Sequence, residues 1–152
     1  MKVKELMTLN PKVCLATDSC SVAAGIMRCR DCGFVPVVDD PKTRKVIGVV
    51  TDRDILLHLA PLEAPLSAIP VKACMTAAVK TAHPEMDLRS AVDMMEEAAV
   101  HRLPVVDSEG RLVGVLALKD IAVAAQKEWV LAGAHPVERQ MSELVEAISA
   151  AK

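Results

Sequence analysis

Aromatic side chains are almost missing from this chain: Phe34 and Trp129 stand alone, and there is no tyrosine. Any core must therefore be aliphatic, and 52% of the residues are hydrophobic, mostly Val, Ala, Leu, Ile and Met. Long apolar runs are missing too; none reaches the ~18 residues that span a bilayer. Neither sign of charge is in large excess. A net charge of −2 provides no general attraction to nucleic acid or anionic lipid, so neither nucleic acid nor membrane is expected as a partner. The N-terminus, Met1-Lys-Val-Lys-Glu-Leu-Met7, lacks the apolar stretch of a signal peptide. A soluble, cytoplasmic protein is the expectation. Five cysteines, an odd number, favour reduced thiols and small apolar fillers over a disulfide framework.

What the chain does contain, it contains twice. Phe34-Val-Pro-Val-Val-Asp39 returns as Arg102-Leu-Pro-Val-Val-Asp107, and Val3-Lys-Glu-Leu-Met-Thr8 as Val71-Lys-Ala-Cys-Met-Thr76, both 68 positions later. Ile47-Gly-Val-Val with Asp54-Ile55 returns as Val113-Gly-Val-Leu with Asp120-Ile121, at a spacing of 66. Three blocks in one order mean a duplicated unit. In 152 residues it makes one compact domain, or two small units sharing a core.

Each copy reads β-α-β-β-α. In the first, Val13 to Ala16 is extended, and Thr17-Asp-Ser19 offers N-caps for a helix from Ser21 to Arg30. Phe34 to Val38 is a buried strand closed by the turn Asp39-Asp-Pro41, Val46 to Val50 is the return strand, and a helix runs from Asp52 to Leu59. In the second, Val79 to Thr81 is extended. A helix covers Asp87 to Ala98, with Leu88, Ala91, Val92 and Met95 on one face. Strands Leu103 to Val106 and Leu112 to Leu116 meet at Ser108-Glu-Gly110, where Gly fits a positive φ. A helix follows from Lys119 towards Trp129. The organisation is therefore α+β: repeat one over 1–60, a proline-punctuated connector over 61–70, repeat two over 71–124, and a helical extension over 125–152. Val137 to Ala150 carries an apolar stripe (Met141, Leu144, Val145, Ile148) suited to the chain's own core or to a partner subunit.

The block with the most chemistry is Gly48-Val-Val-Thr51-Asp-Arg-Asp54, where strand turns into helix. Gly48 admits a ligand or a neighbouring backbone. Thr51 and Asp54 can face one point, where a carboxylate accepts from both hydroxyls of a ribose. First-turn N–H groups favour an anion nearby. The same Thr-x-x-acid spacing is also a capping box that binds nothing. The second copy reads Gly114-Val-Leu-Ala117-Leu-Lys-Asp120, so the helix start tolerates alanine in place of the threonine. His101-Arg102, just before the second buried strand, can present donors to phosphate oxygens; the alternative is two solvated loop residues.

These paired blocks resemble the tandem CBS-domain family, or Bateman modules, over residues 1 to about 124. The resemblance implies two β-α-β-β-α units packed about a pseudo-two-fold axis, with clefts that bind AMP, ADP, ATP or S-adenosylmethionine. Gly48, Thr51 and Asp54 match the family's ribose motif. Thr8, Asn10, Pro11, Val13, Val35 and Pro36 fall on its adenine pocket. His101 and Arg102 fall on a pair that contacts nucleotide phosphates. A second, weaker site would use Val79, Leu103, Pro104 and Asp120, with Ala117 missing the hydroxyl.

The expectation is a non-catalytic regulatory module with an adenine nucleotide as ligand and no metal. It would form a homodimer and act on an unidentified regulated protein. Two alternatives stand beside it: a ligand-free dimeric scaffold, and a thiol or metal sensor using Cys29 and Cys32. The latter pair sits at a helix C-terminus, where the dipole disfavours a thiolate.

Overall fold

The computed structural model describes residues 1–62 and 64–131. The helix expected over Val137 to Ala150 lies outside the described residues. In chain order the elements are β1 (Thr8–Leu9), β2 (Cys14–Leu15), α1 (Cys20–Arg30), β3 (Phe34–Val38), β4 (Val46–Thr51) and α2 (Asp52–Leu59). Then come β5 (Thr76–Ala77), α3 (Leu88–Glu97), β6 (Arg102–Val106), β7 (Leu112–Ala117) and α4 (Leu118–Leu131). Short 3₁₀ turns occupy Val3–Glu5, Leu66–Ala68 and Val71–Ala73.

Two compact units result, and each draws on both repeats. The first comprises Asn10–Val79 with the hairpin tip Val106–Val113; the second comprises Met1–Leu9, Lys80–Val105 and the described residues from Gly114 on. In the first, the sheet order is β2-β3-β4-β5, with β2 parallel to β3 and the other pairs antiparallel. Val35 and Val37 alternate along β3 and meet Val50, Ile55 and the Cys20, Ala23 and Met27 face of α1 in one buried cluster. The i, i+3, i+7 spacing on α1 places those three side chains on one stripe. Each fully buried valine contributes about 1.5–3 kcal/mol. In the second unit the order is β1-β7-β6, and Val3, Ala91, Met95, Leu103, Val105 and Leu116 are buried. The extended segment expected at Val79 to Thr81 forms no strand; its one bridge falls later, Ala82 beside Val105.

The segments that lead each repeat are exchanged. Val71, which opens the second repeat, donates its N–H to Asp18 O at 2.8 Å, and Lys72 donates to Ala16 O at 2.9 Å. Val3 and Lys4, at the matching positions, donate to Met86 O and Pro84 O, both at 3.0 Å. The edge strands follow suit, β5 pairing with β4 and β1 with β7. Sequence pattern alone marked these segments only as leads into their own repeats.

Helix ends are set locally. Ser19 is the N-cap of α1 without a side-chain cap bond; Asp18 Oδ2 instead accepts from Leu15 N at 2.7 Å and closes the preceding turn. Gly110 has the expected positive φ, +78°. Helices α1 and α3 each close on a left-handed residue, Asp31 (φ 48°) after α1 and Ala99 (φ 52°) after α3. Cys32 N reaches back to Met27 O, as Val100 N does to Met95 O, which satisfies terminal carbonyls. Asp tolerates this conformation, whereas alanine is strained there by roughly 1–2 kcal/mol. Ala99→Gly is therefore expected to stabilise the protein by up to about 1 kcal/mol after glycine's own entropic cost. Urea unfolding checks this, and a net loss of stability would contradict it.

Candidate functional site

The β4–α2 junction is built by its own side chains. Thr51 closes β4 in extended conformation and caps α2. Its hydroxyl donates to Asp54 Oδ2 at 2.7 Å, its N–H donates to the same oxygen at 2.9 Å, and Asp54 N donates back to Thr51 Oγ1 at 3.1 Å. This is a reciprocal capping box, so the structural alternative left open by the spacing is realised. The first-turn N–H groups reserved above for an anion are occupied as well. Asp52 N donates to Gly33 O at 3.3 Å and Arg53 N to Asp52 Oδ1 at 2.8 Å. What the junction leaves open is one acceptor: Asp54 Oδ1 has no hydrogen-bond partner among the described residues. Asp54 is half-buried, and among the described residues no side-chain oxygen without a partner is sealed from solvent.

Gly48 is needed for the fold itself. A Cβ there would stand 2.6 Å from Thr76 O, so the close approach is taken by the backbone of β5. Gly114, its counterpart, meets Met7 Sδ at 2.8 Å and Thr8 O at 3.0 Å.

The first unit contains Asn10, Pro11, Val13, Val35, Pro36, Gly48, Thr51 and Asp54, and also Val79. Val35 and Pro36 are buried in β3, opposite Val50 and Val49 of β4. Asn10 is exposed and left-handed (φ 48°), and Val13 is half-buried. Arg44, which the sequence did not mark, donates through Nη2 to Pro11 O at 3.0 Å and fixes that loop. Thr8, in β1, belongs to the second unit, as do His101, Arg102, Leu103, Pro104, Ala117 and Asp120. His101 is exposed and its carbonyl accepts from Leu118 N at 2.9 Å; Arg102 opens β6, half-buried. Leu103, Pro104 and Ala117 are buried, and Asp120 is half-buried in the first turn of α4.

Cys29 and Cys32 flank the C-terminal end of α1, Cys29 exposed and Cys32 half-buried. Among the described residues no group of three or more His, Cys, Asp or Glu side chains is placed to hold a metal ion. The thiols that do meet are a different pair, Cys20 and Cys74, with Sγ atoms 3.4 Å apart. Burial, then the hydrogen bond with Cys20, push the Cys74 thiol up to about 12. Burial does the same to Cys14. No helix among the described residues is long and apolar enough to cross a membrane.

Two α+β units from a duplicated sequence, each with a glycine-bearing return strand ending at a helix start, define a tandem module. Comparison with known proteins fixes its family. The CBS domain family's sequence profile matches residues 3–61 and 71–127. The CBS domain-containing protein YhcV of Bacillus subtilis is 32% identical over 121 residues, spanning 80% of this chain and 83% of that one. Among solved structures, CBSX2 in complex with AMP is 29% identical with a TM-score of 0.70, covering 83% of this chain and 96% of that one; CBSX2 is from Arabidopsis thaliana. The CBS domain pair of MJ0100, in complex with 5-methylthioadenosine and S-adenosyl-L-methionine, is 26% identical with a TM-score of 0.75 (84% and 98% covered). The chain belongs to the CBS domain family, and its fold is that of a tandem CBS pair.

The two glycines yield a differential prediction. At Gly48 the obstacle is a backbone carbonyl, whereas at Gly114 the nearest atom ends a flexible methionine. Gly48→Ala is expected to cost about 1–3 kcal/mol and Gly114→Ala less, measured by thermal or urea unfolding. Equal costs would contradict the assigned approach of β5.

Proposed function

We propose that this chain is a non-catalytic regulatory module that binds an adenine nucleotide or a related adenosyl compound and senses its level. Asp54 carries the reading: one carboxylate oxygen holds the helix start while Oδ1 is left to accept from ribose hydroxyls. The AMP bound by CBSX2, and the methylthioadenosine and S-adenosylmethionine bound by MJ0100, support an adenosyl ligand. In this reading Asn10, Pro11, Val13, Val35 and Pro36, together with Thr8, serve adenine. Thr51 spends its proton on Asp54, so its part towards the ligand is confined to its remaining lone pair. His101 and Arg102 are assigned the phosphates on the family resemblance alone. With Ala117 in place of threonine, the site using Val79, Leu103, Pro104 and Asp120 is the weaker one, and one strong site per chain is proposed.

The completed capping box favours a second reading, a ligand-free interaction scaffold in which Thr51 and Asp54 serve only the helix. A thermal-shift titration with adenosine, AMP, ADP, ATP and S-adenosylmethionine separates the two. Ligand at ~100 times its Kd stabilises the fold by about 2.7 kcal/mol; a scaffold shifts with none of them. Asp54→Ala is expected to lose about 1 kcal/mol of stability with the cap. It should also weaken binding about tenfold or more, because charged hydrogen bonds are worth roughly 1.5–3 kcal/mol each. Unchanged affinity in the folded variant would leave Asp54 a cap alone. Arg102→Ala is expected to weaken AMP and ATP but not adenosine; an equal loss for adenosine would end the phosphate assignment.

The homodimer belongs to the same proposal, supported by Leu56 and Leu57 on α2, which are 67% and 60% exposed. Sedimentation at tens of micromolar should show twice the chain mass, and a monomer with and without nucleotide would remove it.

A further inference from the structure

We propose that Cys20 and Cys74 are a redox modification site, closing to a reversible disulfide that fastens the segment leading into β5 to the start of α1. The inference is independent of the ligand reading.

The two sulfurs lie 3.4 Å apart, although 54 positions separate them in the chain. The backbone around them is already in register. Cys20 N donates to Ile69 O at 2.8 Å, and Val71 N returns to Asp18 O at 2.8 Å. Bond formation therefore asks the side chains to turn and draw the sulfurs to about 2.05 Å, without bringing distant segments together. The fold does not demand thiols here. Cys20 and Cys74 answer, 68 positions on and back, to Leu88 and Leu6, and the equivalent backbone bond from Leu88 N to Met1 O is kept at 3.2 Å. An apolar filler suffices at those places in the second unit.

Access is one-sided. Cys20 is buried at 1% exposure, whereas Cys74 is half-buried and open to a small oxidant. With a peroxide as oxidant, the Cys74 thiolate attacks one oxygen, the O–O bond breaks, and hydroxide leaves, giving a sulfenic acid. Cys20 sulfur then attacks Cys74 sulfur; the S–O bond breaks and hydroxide departs as water with the Cys20 proton. Two thiols and one hydrogen peroxide become one disulfide and two waters. A thiol pushed up to about 12 by burial yields little thiolate at neutral pH, so the site reacts slowly and faster as pH rises.

A closed bridge would act on the segment that reaches Gly48. Cys74 is two residues from Thr76, whose carbonyl lies over that glycine, and Asp54 is close enough to add to the upward push on the Cys74 thiol.

The test oxidises the full-length protein with hydrogen peroxide at pH 8, alkylates it, and maps non-reduced peptides with fragmentation that separates Cys14 from Cys20. The expected product is a Cys20–Cys74 cross-link that dithiothreitol removes. The oxidised wild type should melt at a higher temperature than the reduced protein. Cys74→Ser and the apolar Cys74→Leu, which copies Leu6, should lose both cross-link and shift; the second keeps the test open if serine is not tolerated in the core. A bridge between Cys29 and Cys32 with Cys20 and Cys74 alkylated would overturn the proposal. So would a Cys14–Cys74 link, or a Cys74 sulfinic acid without any cross-link.

Discussion

Everything in the first unit hangs on one close passage of backbone, the Thr76 carbonyl over Gly48. It places β5 against β4, with Gly48 opposite Ala77 and Val49 opposite Thr76. The same passage recurs in the second unit between Thr8 and Gly114. Because hydrogen bonds from Val71 and Lys72 lie just upstream, the segment is held at both ends. The glycine is thus a fold requirement first, and any ligand role is added to a position the sheet had already claimed.

The Thr51–Asp54 turn commits only part of its polar atoms to the helix start. A carboxylate has two oxygens, and the helix start uses one, with Thr51's N–H and hydroxyl both directed to Oδ2. The bonds from Thr51 thereby fix the orientation of the carboxylate. Ala117 shows that a helix of this kind starts without the hydroxyl. The threonine in the first unit therefore does more than permit the turn: it aims the carboxylate.

Much of this was legible in the sequence where the signal was local. Phe34–Val38 and Leu112–Leu116 read as strands because branched apolar residues run between turn residues, and Gly110 announced its positive φ. The duplication made the family resemblance specific. What escaped reading was non-local or degenerate. The exchange of leading segments rests on backbone hydrogen bonds that leave no pattern in Val3–Glu5 or Val71–Ala73. The left-handed alanines at 78 and 99 contradict local preference, and the one at 99 is imposed by the closing turn of α3. Thr51 and Asp54 have a spacing that suits a cap as well as a ribose site, and only geometry shows that the cap takes Oδ2. Cys20 and Cys74 became neighbours through the exchange, so counting cysteines pointed instead to Cys29 and Cys32, the pair close in sequence.

Because the lead segments are exchanged, neither repeat completes its own sheet. A chain carrying a single repeat would own a lead strand with no sheet of its own to join and a glycine strand awaiting someone else's edge. Two such chains would complete each other by trading their first residues. With both repeats on one polypeptide, that trade is an event within a single molecule and does not depend on concentration. The connector of repeat one to repeat two thus joins two stretches of chain that each supply a lead segment to the other's sheet.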